Sequence, residues 1–216
     1  MREIQIIDWG VLDYGRALAR QHQMVAERIN GHSPDRLVLV EHPPVVTLGR
    51  SGSLNDLCIA KEALNRKGVT LQKVDRGGRA TFHGPGQLVV YPIVKVSDKD
   101  LHAFLKRLLD TLADVLRGYR LIPECKNGKP GSWLNGAKIA SVGLAVKKWV
   151  TYHGIALNVC MDSGWFDLIV PCGQPGEKIT SMDREMGARV DLSDVKKRLV
   201  DCFCSRHHYT ACEQVN

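Results

Sequence analysis

Leu101, Phe104, Leu105, Leu108, Leu109, Leu112, Val115 and Leu116 recur at i, i+3, i+4 and i+7 across residues 98–117, the clearest helical pattern in the chain. An apolar stripe this broad belongs to an amphipathic helix that must cover another surface. Ser97 is placed to cap its first turn, and Asp98 and Asp100 suit the positive end of its dipole. The segments on either side are rich in β-branched residues and turn signals, so the covered surface is predicted to be a sheet.

Residues 3–8, 36–41, 45–48, 87–96 and 151–160 read as strands. Pro43-Pro44 interrupts the second pair, and Pro92 predicts an edge or a bulge in 87–96. Asn135-Gly136 is a strong hairpin turn between 132–134 and 137–147. Further helices are predicted over 12–29, stopping at Gly31, over 59–67, ending at Gly68, and over 193–204 with Ser193 as cap. Helices on a mixed, largely antiparallel sheet make an α+β, two-layer chain. With no repeat or linker-like segment, residues 1–216 are expected to form one domain.

A chain of 216 residues buries roughly 70% of its unfolded surface and needs no disulfide or metal to fold. Its seven cysteines, at 58, 125, 160, 172, 202, 204 and 212, are odd in number and scattered, which points to reduced thiols. The N-terminal MREIQIIDWG lacks the basic flank and apolar core of a secretory signal, and no apolar run reaches the ~20 residues of a membrane span. A cytoplasmic protein is expected. The net charge of +7 is spread along the chain, as on a solvated surface, and is also suited to steering acidic partners.

Three stretches carry candidate chemistry. The first, Arg76-Gly77-Gly78-Arg79-Ala80-Thr81-Phe82-His83 followed by Gly84-Pro85-Gly86-Gln87, puts glycines and cations directly before a strand. Glycines let backbone amides approach a ligand, and His83 is a candidate to move a proton near neutral pH. The stretch is neither a phosphate-binding Walker loop nor a dinucleotide fingerprint. The second is Cys172, between Pro171 and Gly173, where a side chain at a turn projects into a cleft. A free thiol has a pKa near ~8.5, so as a nucleophile it needs a cation or base beside it. The third is Lys138, set among Ala137, Ile139 and Ala140 just past the hairpin turn, either pointing inward or snorkelling to water.

Weaker signals are set aside. Cys202 and Cys204 would point about 200° apart on a helix, a poor metal chelate beside His207-His208. Trp149, Tyr152 and Trp165 near basic residues match no nucleic-acid module. No metal, nucleic acid or membrane is expected as a partner.

Taken together, RGGRATFHGPGQLVVYPI (76–93), NGAKIASVGLAVKKWVTYHGIALNV (135–159) and IVPCGQPGEKITSM (169–182), with EHPPVVTLGR (41–50), resemble the lipoyl(octanoyl) transferases in order and spacing. The resemblance implies the catalytic fold of biotin and lipoate ligases, and transfer of octanoyl from acyl carrier protein to lipoyl domains. Those acceptors would be the lipoyl domains of 2-oxoacid dehydrogenases and the glycine cleavage H protein. Cys172 matches the family's acyl-thioester cysteine, and Lys138 the lysine that activates it and relays protons. Arg76, Gly77, Gly78, Arg79, Ala80, Thr81, Phe82 and His83 match its acyl-pocket loop. Ser141, Val142 and Gly143, and Gly154, Ile155 and Ala156, match its other substrate-contacting stretches. Gly77, Gly78, Gly143 and Gly154 are expected to leave room for the chain. No cofactor is expected, and the protein is expected to be a monomer. The rival enzyme is an ATP-dependent lipoate or biotin ligase, which would not need Cys172. The rival of another class is a module that binds acyl carrier protein or nucleic acid without turnover.

Overall fold

Along Asp35–Glu41, Leu37 and Leu39 enter one hydrophobic cluster while Val38 and Val40 enter another, because successive strand residues point to opposite faces. A strand buried on both faces reads as the continuous apolar run LVLV, and it lies inside the main sheet. The computed structural model describes residues 2–126 and 128–213.

The strands are β1 (Arg2–Val11), β2 (Asp35–Glu41), β3 (Val45–Leu48), β4 (Thr70–Lys73), β5 (Ala80–His83) and β6 (Gln87–Ile93). They continue as β7 (Glu124–Lys126), β8 (Lys129–Leu134), β9 (Ala137–Lys147), β10 (Val150–Asn158) and β11 (Tyr209–Glu213). Eight of them form one sheet in the order β11-β1-β2-β6-β10-β9-β8-β7, and β4-β3-β5 form a second. The large sheet is parallel where β1 meets β2 and β11, and antiparallel elsewhere. The helices are α1 (Tyr14–Ile29), α2 (Lys61–Arg66), α3 (Leu101–Gly118), α4 (Met182–Met186) and α5 (Leu192–His207). Phe104, Leu108 and Leu112 of α3 and Val195, Leu199 and Phe203 of α5 join Leu37, Val90, Ile139 and Leu157 on one sheet face. Ala17 and Val25 of α1 cover Val38, Val89 and Ile93 on the other. The α+β class and the mixed sheet agree with the sequence reading.

Several local expectations are corrected. Helix α3 starts at Leu101: Lys99 holds φ 53°, which breaks a right-handed helix, and Asp100 rather than Ser97 caps by accepting from Ala103 N at 2.9 Å. Helix α5 is capped by Asp191, whose carboxylate accepts from Ser193 N at 2.7 Å, not by Ser193 itself. Pro92 lies on β6 in the middle of the sheet, not at an edge. Its Cδ faces Gly154 on β10, next to His153 at φ 54°, so the missing N–H falls where β10 is already irregular.

Candidate active site

Asn135 and Gly136 both take positive φ, 49° and 79°, as a two-residue hairpin turn requires, and this puts Lys138 second on β9. The segment after Cys172 then returns along that strand: Lys138 N donates to Lys178 O at 2.7 Å, and Thr180 N donates to Lys138 O at 3.0 Å. These two contacts bring residues 34 apart in sequence together, with Lys138 Nζ 3.2 Å from Cys172 Sγ. The ammonium also stands 5.0 Å from the centroid of the Trp133 ring, and Lys138 is 5% exposed. Of the two sequence readings of this lysine, pointing inward is the one found.

Cys172 sits on a 3₁₀ turn, Pro171–Gly173, at φ 55° and ψ 19°. The left-handed region costs a non-glycine residue about 1–2 kcal/mol, and such strain gathers at functional sites. The turn is pinned from outside. Arg79 Nη2 pairs with the buried Asp56 carboxylate at 2.7 Å, and its side chain crosses Gly173, where a Cβ would meet Arg79 Cδ at 2.4 Å. Val170 N donates to Asp56 O, and Cys58 N to Leu168 O. The amides of Gly173 and Gln174 donate to Val170 O and Pro171 O, and that of Gly77 to Leu144 O. These three donors are therefore already engaged and are not free for an oxyanion.

Cys172 and Lys138 open on a cavity of about 510 Å³ whose apolar wall includes Val89, Leu101, Leu105, Val142, Leu144 and Ile155. Of the residues singled out in the sequence, Arg76, Gly77, Gly78, Arg79, Thr81 and His83 line it, as do Ser141, Val142, Gly143, Gly154, Ile155 and Ala156. Ala80 and Phe82 do not. They alternate onto the other face of β5, where Phe82 stacks on Trp165 at 5.3 Å and packs edge-on to Phe166. Gly154 leaves room for chain rather than ligand, because a Cβ there would stand 2.1 Å from Val90 O. Arg76 acts first on its own loop. Its guanidinium donates to Thr47 Oγ1 at 2.7 Å and to the carbonyls of Thr47, Gly77 and Arg79 at 2.9–3.0 Å. Burial pulls its pKa down, yet an arginine stays charged, so the loop brings a buried positive charge to the cavity wall.

The surroundings of His83 disfavour its charged form. Burial first, then the neighbouring His42 and Arg76, push its pKa well below 6.5. Gln87 Nε2 donates to Asn158 Oδ1 and Phe82 O, so Gln87 Oε1 is an acceptor and His83 Nδ1 at 2.7 Å must carry the proton.

The sequence reading missed Tyr14, Tyr91 and His153 on the same wall. Asp75 accepts from His153 Nε2 at 2.9 Å, leaving Nδ1 to accept from the Tyr14 hydroxyl at 3.3 Å. Burial pushes Tyr14 up to about 12, so that hydroxyl keeps its proton. Tyr14 opens α1, far from any glycine-rich motif, and the one local signal was its place at the helix start.

The lipoyl protein ligase A/B catalytic domain model matches residues 13–204. An octanoyltransferase of Rubrobacter xylanophilus is 40% identical over 196 residues, covering 90% of this chain and 89% of that protein. One of Roseiflexus sp. is 43% identical over 210 residues, covering 95% and 88%. Among solved structures, the bi-partite lipoate protein ligase of Thermoplasma acidophilum superposes with a TM-score of 0.79 at 15% identity, over 99% of this chain and 87% of that one. The biotin protein ligase of Aquifex aeolicus in complex with biotin and ATP does so with a TM-score of 0.59 at 12% identity, over 95% and 70%. These two likenesses concern the fold alone. By the family match and by relatives that are alike over nearly their whole length, the chain belongs to the lipoyl protein ligase A/B catalytic domain family, among its octanoyltransferases.

Proposed function

We propose that the chain transfers octanoyl from octanoyl-acyl carrier protein to the lysine of a lipoyl domain, with Cys172 carrying the acyl group as a thioester. The observation that carries this reading is the 3.2 Å contact of Lys138 Nζ with Cys172 Sγ at the wall of an apolar cavity. An ammonium there stabilises negative charge on the sulfur and is within reach to exchange protons with it. In the first half-reaction the Cys172 thiolate attacks the octanoyl carbonyl, the carrier C–S bond breaks, and the carrier sulfur leaves as a thiol with a proton from the Lys138 ammonium. In the second the acceptor lysine, as a free amine, attacks the new thioester. An amide forms, the S–C bond to Cys172 breaks, and the amine proton passes to Lys138 or the sulfur. Exchange between thioesters is nearly isoenergetic and amide formation is downhill, so neither step calls for ATP. Burying the chain in the cavity contributes about 0.8 kcal/mol per methylene.

The same reading makes residues 1–216 one catalytic domain acting as a cytoplasmic monomer. Its acceptors are the lipoyl domains of 2-oxoacid dehydrogenases and the glycine cleavage H protein. The relatives' name, octanoyltransferase, supports this reading, and the Thermoplasma ligase of the same fold is described together with its own E2 lipoyl domain. The test is transfer from octanoyl-acyl carrier protein to a purified lipoyl domain without ATP, followed by the mass of the acceptor. Gain of one octanoyl group on its lysine is expected. Gain only when ATP and free octanoate are supplied overturns the reading in favour of a ligase.

A further inference from the structure

Lys138 is a buried cation, and among the described residues it has no carboxylate partner within ion-pair distance. Its ammonium touches the Cys172 sulfur and the face of the Trp133 ring. A buried ammonium loses hydration and needs a compensating contact, and indole is the strongest aromatic partner for a cation.

Trp133 is itself held. It is fully buried and pairs with Lys138 across the β8–β9 ladder, and its Nε1–H donates to Glu177 Oε1 at 2.9 Å. The Glu177 side chain is 5% exposed and lies 3.5 Å from Lys126 Nζ, while its Oε2 is buried with no partner among the described residues. A buried carboxylate with a spare oxygen is costly unless its charge is used. Accepting from the indole N–H, that carboxylate pushes electron density into the ring and deepens the negative face that Lys138 meets. Glu177 follows Cys172 by five residues, and Trp133 precedes Lys138 by five, so each member of the contact is carried by a segment that carries the dyad. Neither Trp133 nor Glu177 lines the acyl cavity.

We infer that Trp133 and Glu177 are positioning residues: the carboxylate orients and polarises the indole, and the indole holds the Lys138 ammonium on the Cys172 sulfur. This rests on the reading of Cys172 and Lys138 as the reacting pair.

The test is the pH–rate profile for alkylation of Cys172 by iodoacetamide, followed on its own peptide by mass spectrometry because other cysteines are exposed. Wild type, Glu177→Gln, Trp133→Phe, Trp133→Leu and Lys138→Met are compared. Glu177→Gln keeps an acceptor for the indole and removes the charge. Trp133→Phe keeps a ring and removes the N–H. Both are expected to slow alkylation severalfold near neutral pH and move the profile to higher pH, with Trp133→Leu slower by about tenfold. Octanoyl transfer should fall through kcat, with the KM for the lipoyl domain unchanged. If Trp133→Leu does not fold, the nearly isosteric Glu177→Gln decides. Should Lys138→Met shift the profile while Glu177→Gln and Trp133→Phe superimpose on wild type, Trp133 and Glu177 are merely structural and the inference fails. Should Lys138→Met itself superimpose on wild type, the reading of the reacting pair fails with it.

Discussion

Gly131 and Lys138 compete for one volume: a Cβ on Gly131 would stand 2.8 Å from Lys138 Cε and 2.6 Å from Ala140 O. The lysine reaches Cys172 by crossing the place where β8 has no side chain. Gly131→Ala must move either the lysine stem or the strand. We expect it to destabilise the fold by about 1–3 kcal/mol, as overpacking does, and to slow acylation of Cys172 out of proportion to that loss. Urea midpoints and single-turnover acylation rates, measured on the same samples, separate the two effects. A variant with unchanged acylation would mean that the lysine does not need this path.

Lys138→Met keeps most of the stem and removes the ammonium. If that group assists both half-reactions, the transfer rate should fall by about 10²–10⁴-fold, the range for proton transfer by a positioned side chain. Lys138→Arg should not restore it, because a planar fork does not replace a compact ammonium between Trp133 and Cys172. Steady-state transfer to a lipoyl domain measures both, and restoration by arginine would reduce the role of Lys138 to bulk positive charge.

How legible this was in the sequence depended on the range of the interaction. Elements written in local periodicity, such as α3 and the buried run of β2, were recovered because burial imposes its own spacing. Strand β11, which adds in parallel to β1 from the far end of the chain, carries no local mark of its partner. The glycine-rich loop was recognisable as a loop, but β5 alternation takes Ala80 and Phe82 away from the cavity, which composition alone does not reveal. Tyr14 and His153 were invisible as a pair because their hydrogen bond joins α1 to a positive-φ residue of β10, 139 residues away.

Low pH should destabilise the fold through histidines buried without charge. Burial is the first cause that holds His42 down to about 4 and His207 to about 3. In the unfolded chain both take up a proton near 6.5, whereas the folded protein refuses it until the pH reaches its own lower values. Above about pH 6.5 neither state is charged and stability is complete. Between there and about pH 4 stability falls, for His42 alone by about 3 kcal/mol, and below that it levels off for this group. His207→Phe keeps the stack on Phe203, now at 4.1 Å, and removes a buried Nε2 that has no partner among the described residues. Its urea midpoint should drop less than that of wild type between neutral pH and about pH 4.5. Parallel declines would exclude His207 as a contributor.

Arg79 connects the buried Asp56 to the turn that carries Cys172. Asp56→Ala removes that partner and also the acceptor for Ser53 N at 2.9 Å. We expect a stability loss of about 1–3 kcal/mol and slower acylation of Cys172, with the thiol still present. Gly173→Ala should do the same by a different route, since φ 69° penalises a Cβ that would also strike Arg79. Thermal unfolding with acylation kinetics checks both. Full acylation rates in either variant would show that the turn needs no external support.

Transfer by this route requires that the Cys172 sulfur carry the acyl group. The decisive measurement is the intact mass of the protein after mixing with octanoyl-acyl carrier protein, ATP and acceptor withheld, for wild type and Cys172→Ala. One added octanoyl group is expected on wild type alone, removed by hydroxylamine and by added lipoyl domain. An alanine variant that acquires the same adduct, or a wild type that transfers octanoyl without ever forming one, would contradict it.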